Sequence, residues 1–218
     1  VGSEMCIRDR LEPMGLTWQD FKKMDYIRGN VRYRKYKDTG FSTPSRKFEL
    51  CSTLLEQWGY DPLPQYREPP ESPVSTPYVY KDYPYILITG ARSPGFFHTE
   101  NRQVPWLREL HPDPLVEIHP ETATKEGIQE GDWVVIESIR GKVRQRAKLF
   151  AGMDPGIVSA QHGWWFPEKK DPAHGWDESN INILTDNAYD TCDPAMGATS
   201  VRTILCRIYP EPSEGGEK

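Results

Sequence analysis

The sequence predicts a mainly β fold with short helices: a small barrel preceded by an appendage of mixed helical, strand and extended character. Three observations carry this. Short apolar or alternating runs recur between turn signals roughly every eight to twelve residues from Tyr85 onward. Hydrophobic residues make up only 37% of the 218 while prolines number 20, so one compact core coexists with much irregular chain. The prolines are also concentrated, seven of them between Asp61 and Pro84, which sets a leading segment apart from the strand-rich part.

The elements follow in chain order. Residues 1–10 join no periodic pattern and resemble translated adapter sequence at the ends of metagenomic gene fragments, so they are expected to lie outside the fold. On that reading the chain is the tail of a longer protein, with residues 11–60 the end of a preceding domain. Thr17 and Asp20 form a capping-box-like start to a helix over residues 18–24. Residues 31–36, Val-Arg-Tyr-Arg-Lys-Tyr, alternate and predict a strand. The seven basic residues from Lys22 to Lys37 read as a solvated or partner-facing edge; the alternative is a patch facing an anionic cofactor or a neighbouring domain. Residues 40–50 predict a turn and a strand. Ser52 caps a helix running to residue 58, and Gly59 suits its C-terminal side. Residues 61–80 are an extended proline-rich linker, with the barrel at 81–210 and a polar tail at 211–218.

Within the barrel, residues 85–89 are a buried strand and 104–110 a short helix, with Pro105 tolerated only in its first turn. Residues 115–118 are a brief strand. His119-Pro-Glu-Thr-Ala-Thr-Lys-Glu-Gly127 is a short helix with Pro120 at its first position and Gly127 at its close. Gly131-Asp132 turns the chain into a strong strand at 133–138. Arg140-Gly141 then leads into its hairpin partner at 143–150, and strands follow at 156–160 and 203–209.

Composition excludes some functions. A net charge of −5 disfavours wholesale nucleic-acid binding. No apolar run approaches the roughly 18 residues of a membrane span, so direct membrane insertion is not expected. The compartment, periplasm or cytoplasm, stays open. Cys6, Cys51, Cys192 and Cys206 are unclustered, which predicts free thiols rather than zinc or iron–sulfur ligands. Asp186, Asp190 and Asp193 lack ligand-like spacing and read as loop caps.

Candidate chemistry begins at the end of the first barrel strand. Thr89, Gly90, Arg92, Ser93, Gly95, His98 and Thr99 follow it, an order that places backbone N–H donors and polar groups beside an anionic ligand. His98 as a hydrogen-bonded loop histidine is the plainer alternative. The block from Glu117 to Ser138 resembles the helix, Gly-Asp turn and strand of double-psi β-barrels. The combination is more specific. Ile88-Thr-Gly-Ala-Arg92, His98-Thr99, Asn101-Arg102 with Pro105-Trp-Leu-Arg-Glu109, the Gly-Asp block, Gly163-Trp-Trp-Phe-Pro-Glu168 and Asn180-Ile-Asn-Ile-Leu-Thr185 occur in this order. Together they are similar to the C-terminal molybdopterin-dinucleotide-binding domain of the dimethyl sulfoxide reductase family. Gly40-Phe-Ser-Thr-Pro-Ser-Arg-Lys-Phe-Glu-Leu50 resembles the segment preceding that domain, so the likeness covers about residues 38 to 209. It looks nearest the members of anaerobic sulfur respiration or those related to acetylene hydratase.

The resemblance implies a double-psi β-barrel and a cofactor, molybdenum or tungsten held by two molybdopterin guanine dinucleotides. Such a ligand needs backbone N–H groups, amides and a few cations rather than a catalytic base. By motif position, Thr89, Gly90 and Arg92, with Ser93, match the first cofactor loop, and His98 and Thr99 its second half. Trp164 and Trp165 match the loop closing over the dinucleotide, although core aromatics would look the same. Asn182 matches a pterin-facing amide, which can donate and accept at once. Many members read Thr-Gly-Arg; here Ala91 intervenes, so the aim of Arg92 is the open point. His119 stands where Asn or Asp is common and is expected to be structural.

The family's iron–sulfur cysteines and metal-ligating residue are not found, so no catalytic or metal-binding residue is assigned, and the chain alone is expected to be inactive. The resemblance implies as partners the N-terminal catalytic domains of the same polypeptide and an iron–sulfur electron-transfer subunit. A free-standing cofactor-binding subunit and a double-psi barrel serving as a protein-interaction module are the two other readings.

Overall fold

The computed structural model describes residues 4–212 except 25, 30, 91, 92 and 194. The chain divides into two compact units, Val1–Pro64 and Gln65–Lys218.

The first unit carries four short helices: α1 (Glu4–Leu11), α2 (Trp18–Lys22), α3 (Tyr36–Thr39) and α4 (Thr53–Gln57). Helix α1 thus begins inside the segment expected to lie outside the fold. The capping box forms as expected: Asp20 N–H donates to Thr17 Oγ1 at 3.1 Å, and Thr17 N–H to Asp20 Oδ2 at 3.0 Å. Ser52 caps α4 by accepting from Leu55 N–H, and Gly59 follows it at φ +79°. Neither strand expected here is present among the described residues. Arg34 and Arg46 have positive φ, which interrupts both runs. Val31 and Tyr33 alternate without burial, at 72% and 87% exposed. Thr43 and Ser45 bond locally, to the Lys47 carbonyl and to Glu49, and such bonds compete with a strand ladder.

The second unit opens with residues 65–76 and α5 (Pro77–Asp82). Residues 65–80, read from sequence as linker, therefore belong to this unit, and the boundary falls at Pro64 rather than near Lys81. Six strands follow: β1 (Tyr85–Ile88), β2 (Leu115–Ile118), β3 (Trp133–Ser138), β4 (Gly141–Leu149), β5 (Ile157–Ala160) and β6 (Ile204–Pro210). They close into a barrel in the order β1-β5-β2-β4-β3-β6. Two parallel pairs, β1 with β5 and β2 with β4, are interleaved with antiparallel pairings. The mainly β fold with a closed barrel and short helices is the one the sequence predicts. Closure leaves no bare edge. Inward residues including Leu87, Val116, Ile118, Val134, Ile136 and Val158 fill the core at 0% exposure.

Two more helices lie between strands, α6 (Pro105–Leu110) and α7 (Pro120–Glu126), and α8 (Trp176–Ser179) follows β5. His119 does cap α7, its Nδ1 accepting from Glu121 N–H at 3.2 Å. The Gly-Asp turn works as its residues suggest: Gly131 sits at φ +82° and Asp132 Oδ2 accepts from Gln129 N–H at 2.8 Å.

The register places the long connections at one end. Ile88 lies opposite Ser159 in the parallel β1–β5 pair, so the chain leaves both strands on the same rim. Leu87 pairs with Ile204 and Val116 with Ala160, so β6 and β2 start there too. Residues 89–114, residues 161–203 and the tip of the β3–β4 hairpin all meet at this end. The opposite end carries α7 with the Gly-Asp turn, the short β4–β5 connection, the entry from α5 into β1 and the exit from β6.

Candidate functional site

The described residues among those singled out from the sequence for a cofactor lie in the two long connections at that rim. Thr89 immediately follows β1, half-buried, and its hydroxyl donates to the Val201 carbonyl at 3.3 Å. Gly90 is exposed, and a Cβ added there would meet nothing within 4 Å. Its backbone is open to an approaching ligand. Ala91 and Arg92 lie outside the described residues. Ser93 is half-buried and its Oγ is buried without a hydrogen-bond partner.

The 98–99 and 162–165 segments form one locked assembly. His98 adopts φ +52° and Asn101 φ +69°, conformations that non-glycine residues hold only when their surroundings impose them. His98 Nδ1 and His162 Nε2 are 3.0 Å apart, and Trp165 Nε1 donates to the Thr99 carbonyl at 2.7 Å. Gly163, at φ +66°, is packed so closely that a Cβ would lie 3.0 Å from Thr99 Cγ2 and 3.1 Å from the His98 carbonyl. Gly163→Ala should therefore cost about 2 kcal/mol, combining left-handed strain with backbone crowding. Gly90→Ala should shift stability by less than about 0.5 kcal/mol and weaken only ligand binding. Chemical denaturation of the two variants checks this contrast.

Beneath the assembly lies a second small core of Phe96, Trp164 and Phe166, with Leu107 and Trp133 packed against it. The structure thus divides the tryptophan pair. Trp164 is fully buried and serves as a core aromatic, while Trp165 is half-buried. Arg102 runs through this core at 2% exposure. Its guanidinium lies 4.1 Å from the Phe96 ring centre and 4.0 Å from that of Trp164. Nη2 donates to the carbonyls of His98, His162 and Gly163, tying the two connections together. Burial, reinforced by the like charge of Arg108, brings its pKa down to about 10, so it stays charged at neutral pH. Arg108 is paired with Glu168 at 2.8 Å.

Asn182 comes from the third approach to the rim. Residues Ile181–Ile183 form a 3-10 turn, and its threefold period sets Ile181 and Leu184 on one side, at 1% and 0% exposure. Asn182 is thereby turned outward and is exposed. Its backbone is fixed from both sides: its N–H donates to Asn180 Oδ1, and its carbonyl accepts from Thr185 Oγ1. The aspartates beyond it act as loop caps, Asp186 toward Ala188 N–H and Asp193 toward Ala195 and Met196.

Two further residues organise the site without having been singled out. Arg102 appeared only as part of a motif, since its surroundings come from residues about sixty positions away. Gln145, at 0% exposure, donates from Nε2 to the carbonyls of Gln161 at 2.8 Å and Ser179 at 3.1 Å, and accepts from Gln161 N–H at 3.1 Å. One buried amide thus holds the roots of both the tryptophan segment and the Asn182 turn. Its signal was present in the sequence: an amide at an inward position of the run Val143-Arg-Gln-Arg-Ala147.

The chemistry of this rim is that of a donor-rich cradle. Among the described residues, the buried side-chain polar atoms without a partner are Ser93 Oγ, Arg102 Nε and Nη1, Arg108 Nη1 and Trp164 Nε1. All five lie in the two rim connections and all can donate. Two of the five belong to the buried Arg102 cation, and beside them stand an open glycine backbone and an outward amide. This inventory fits a large, acceptor-rich, anionic ligand such as a pterin dinucleotide.

Comparison with known proteins agrees. Residues 85–204 match a family model described as the molydopterin dinucleotide binding domain. Dopamine dehydroxylase of Eggerthella lenta is 43% identical over 174 residues, which is 78% of this chain and 17% of that protein. Acetylene hydratase of Syntrophotalea acetylenica is 33% identical over 210 residues, 93% of this chain and 29% of the relative. A solved structure of acetylene hydratase from Pelobacter acetylenicus superposes with a TM-score of 0.82 at 32% identity, covering 92% of this chain and 28% of that one. The chain spans less than a third of the length of each of these relatives. The matched region covers more than half of the sequence and contains every residue of the rim described above, so the chain belongs to the family of molybdopterin dinucleotide binding domains of molybdenum and tungsten oxidoreductases.

Proposed function

We propose that this chain is the cofactor-holding part of a molybdenum or tungsten oxidoreductase and grips a molybdopterin guanine dinucleotide at the rim formed by residues 89–102, 161–166 and 180–185. When bound, the cofactor supplies two-electron redox chemistry at its metal. The residues here bind and orient it. Thr89, Gly90 and Ser93 offer donors and open backbone, and Arg92 offers a planar cation. His98, Thr99 and Trp165 form the wall locked by Arg102. Asn182 offers a two-way amide to the pterin. The observation that carries this reading is the clustering of all five partnerless buried donors in the two rim connections. Catalysis and electron transfer would fall to N-terminal domains of the same polypeptide and to an iron–sulfur partner subunit.

The test is titration of the purified chain with molybdopterin guanine dinucleotide. Binding should be measurable, and Arg92→Ala and Asn182→Ala should each weaken it about tenfold, the loss of one charge-assisted or buried hydrogen bond. Absence of binding, together with silent Arg92→Ala and Asn182→Ala variants in the full enzyme, would leave the barrel as a protein-interaction module.

A further inference from the structure

The proline-rich segment before the barrel packs a carboxylate against the rim. Pro69 and Pro70 fix the backbone immediately ahead of Glu71. Ser72, at 5% exposure, then closes a self-capped turn. Its hydroxyl accepts from Val74 and Ser75 N–H groups, its carbonyl accepts from Thr76 N–H, and its own N–H donates to Thr76 Oγ1. Glu71 is thus held rigidly from both sides and points onto the rim. One carboxylate oxygen accepts from Leu205 N–H of β6 at 2.5 Å, and the other from Arg140 Nη2 at 2.6 Å. The two side chains are only 15% and 21% exposed. Arg140, at the tip of the β3–β4 hairpin, spends its Nε on the Leu184 carbonyl at 2.8 Å. The neighbouring Gly141 is pressed so close to the same turn that a Cβ there would lie 2.9 Å from Ile183 Cγ2.

These contacts form a chain from the proline segment to the turn bearing Asn182. We propose that Glu71 and Arg140 are positioning residues for Asn182: the proline segment is a strap whose carboxylate orients the Arg140 guanidinium, and the guanidinium sets the height and tilt of the Asn182 turn against the cofactor. Planarity is essential. Only a guanidinium presents Nε to one acceptor and Nη2 to another in fixed geometry. A lysine can serve one of the two. The inference rests on the reading of Asn182 as a cofactor-facing amide.

The test uses Arg140→Lys, Glu71→Gln and Asn182→Ala, alone and in pairs, in the whole chain. Hydrogen exchange is read at the amides of Ile183, Leu184 and Thr185, and molybdopterin guanine dinucleotide affinity by titration. Arg140→Lys and Glu71→Gln should each speed exchange at these amides at least tenfold while leaving β3 and β4 protected. Each should weaken binding, and neither should weaken it further once Asn182 is Ala. Unchanged exchange at the turn overturns the strap, and so does faster exchange with unaltered affinity. Additive losses with Asn182→Ala overturn it as well, because positioning acts through that residue. If Asn182→Ala alone binds as the parent does, the reading of Asn182 falls and carries the inference with it, while the exchange data show independently whether the brace exists.

Discussion

Gln145→Leu should lower stability by about 3 kcal/mol and the melting temperature by about 10 °C, the largest stability loss expected from one substitution at the rim. Gln145 has no exposed surface and makes three hydrogen bonds to backbone groups of Gln161 and Ser179. Leucine fills nearly the same volume, so the effect is not a cavity effect. It leaves the Gln161 and Ser179 carbonyls without their amide donor, at about 1–3 kcal/mol for each buried group. The added apolar burial returns part of this. Cofactor affinity should fall as well, even where the chain is fully folded, because the Trp165 segment and the Asn182 turn both start from that amide. Lys142→Ala, on the same strand but exposed, should change stability by less than about 0.5 kcal/mol. Calorimetric unfolding of both variants decides the matter. A leucine variant as stable as the parent would mean that water or a shifted backbone satisfies those carbonyls.

The barrel could be read from sequence because each of its strands carries its own evidence. Residues 133–138 and 143–150 alternate or run apolar, with Gly131-Asp132 and Arg140-Gly141 marking their ends, and the observed strands agree within two residues. Residues 31–36 have the alternation of a strand but no strand partner among the described residues, and pattern alone cannot supply one. In residues 77–82 the single proline, Pro77, looks like a continuation of the linker, whereas it opens a helix at the one position where its missing N–H is harmless. The site divides the same way. Thr89, Gly90 and Asn182 sit beside local elements, so motif spacing alone marks them as candidates. Arg102, Gln145 and the Glu71–Arg140 pair act across sequence separations of 60, 34 and 69 residues, and only closure of the barrel brings their partners within reach.

Arg102→Met should weaken molybdopterin guanine dinucleotide binding by about tenfold or more, with little change in the stability of the free chain. Two opposing effects produce that division. The folded state holds the guanidinium in an apolar slot beside Arg108, and burial followed by that like charge lowers its pKa to about 10. A base whose folded pKa lies below its unfolded value destabilises the fold while charged. The penalty is therefore fully present at neutral pH and fades as pH rises through about 10 toward the unfolded value. Against it stand the stacking on Phe96 and Trp164 and the Nη2 bonds to three carbonyls. Methionine keeps the apolar stem and removes both sides of this balance. What it cannot keep is the positive charge beneath the two rim segments, and on the proposed reading that charge is the term an anionic dinucleotide strengthens on binding. The methionine variant should consequently show less thermal stabilisation by the ligand and a shallower dependence of affinity on salt. Arg102→Lys separates the two roles. It retains charge, and hence much of the salt dependence, but cannot span the carbonyls from between two rings, so it should loosen the 98–99 and 162–163 backbone. Unaltered affinity and salt dependence in the methionine variant would show that the buried cation is a structural clamp alone.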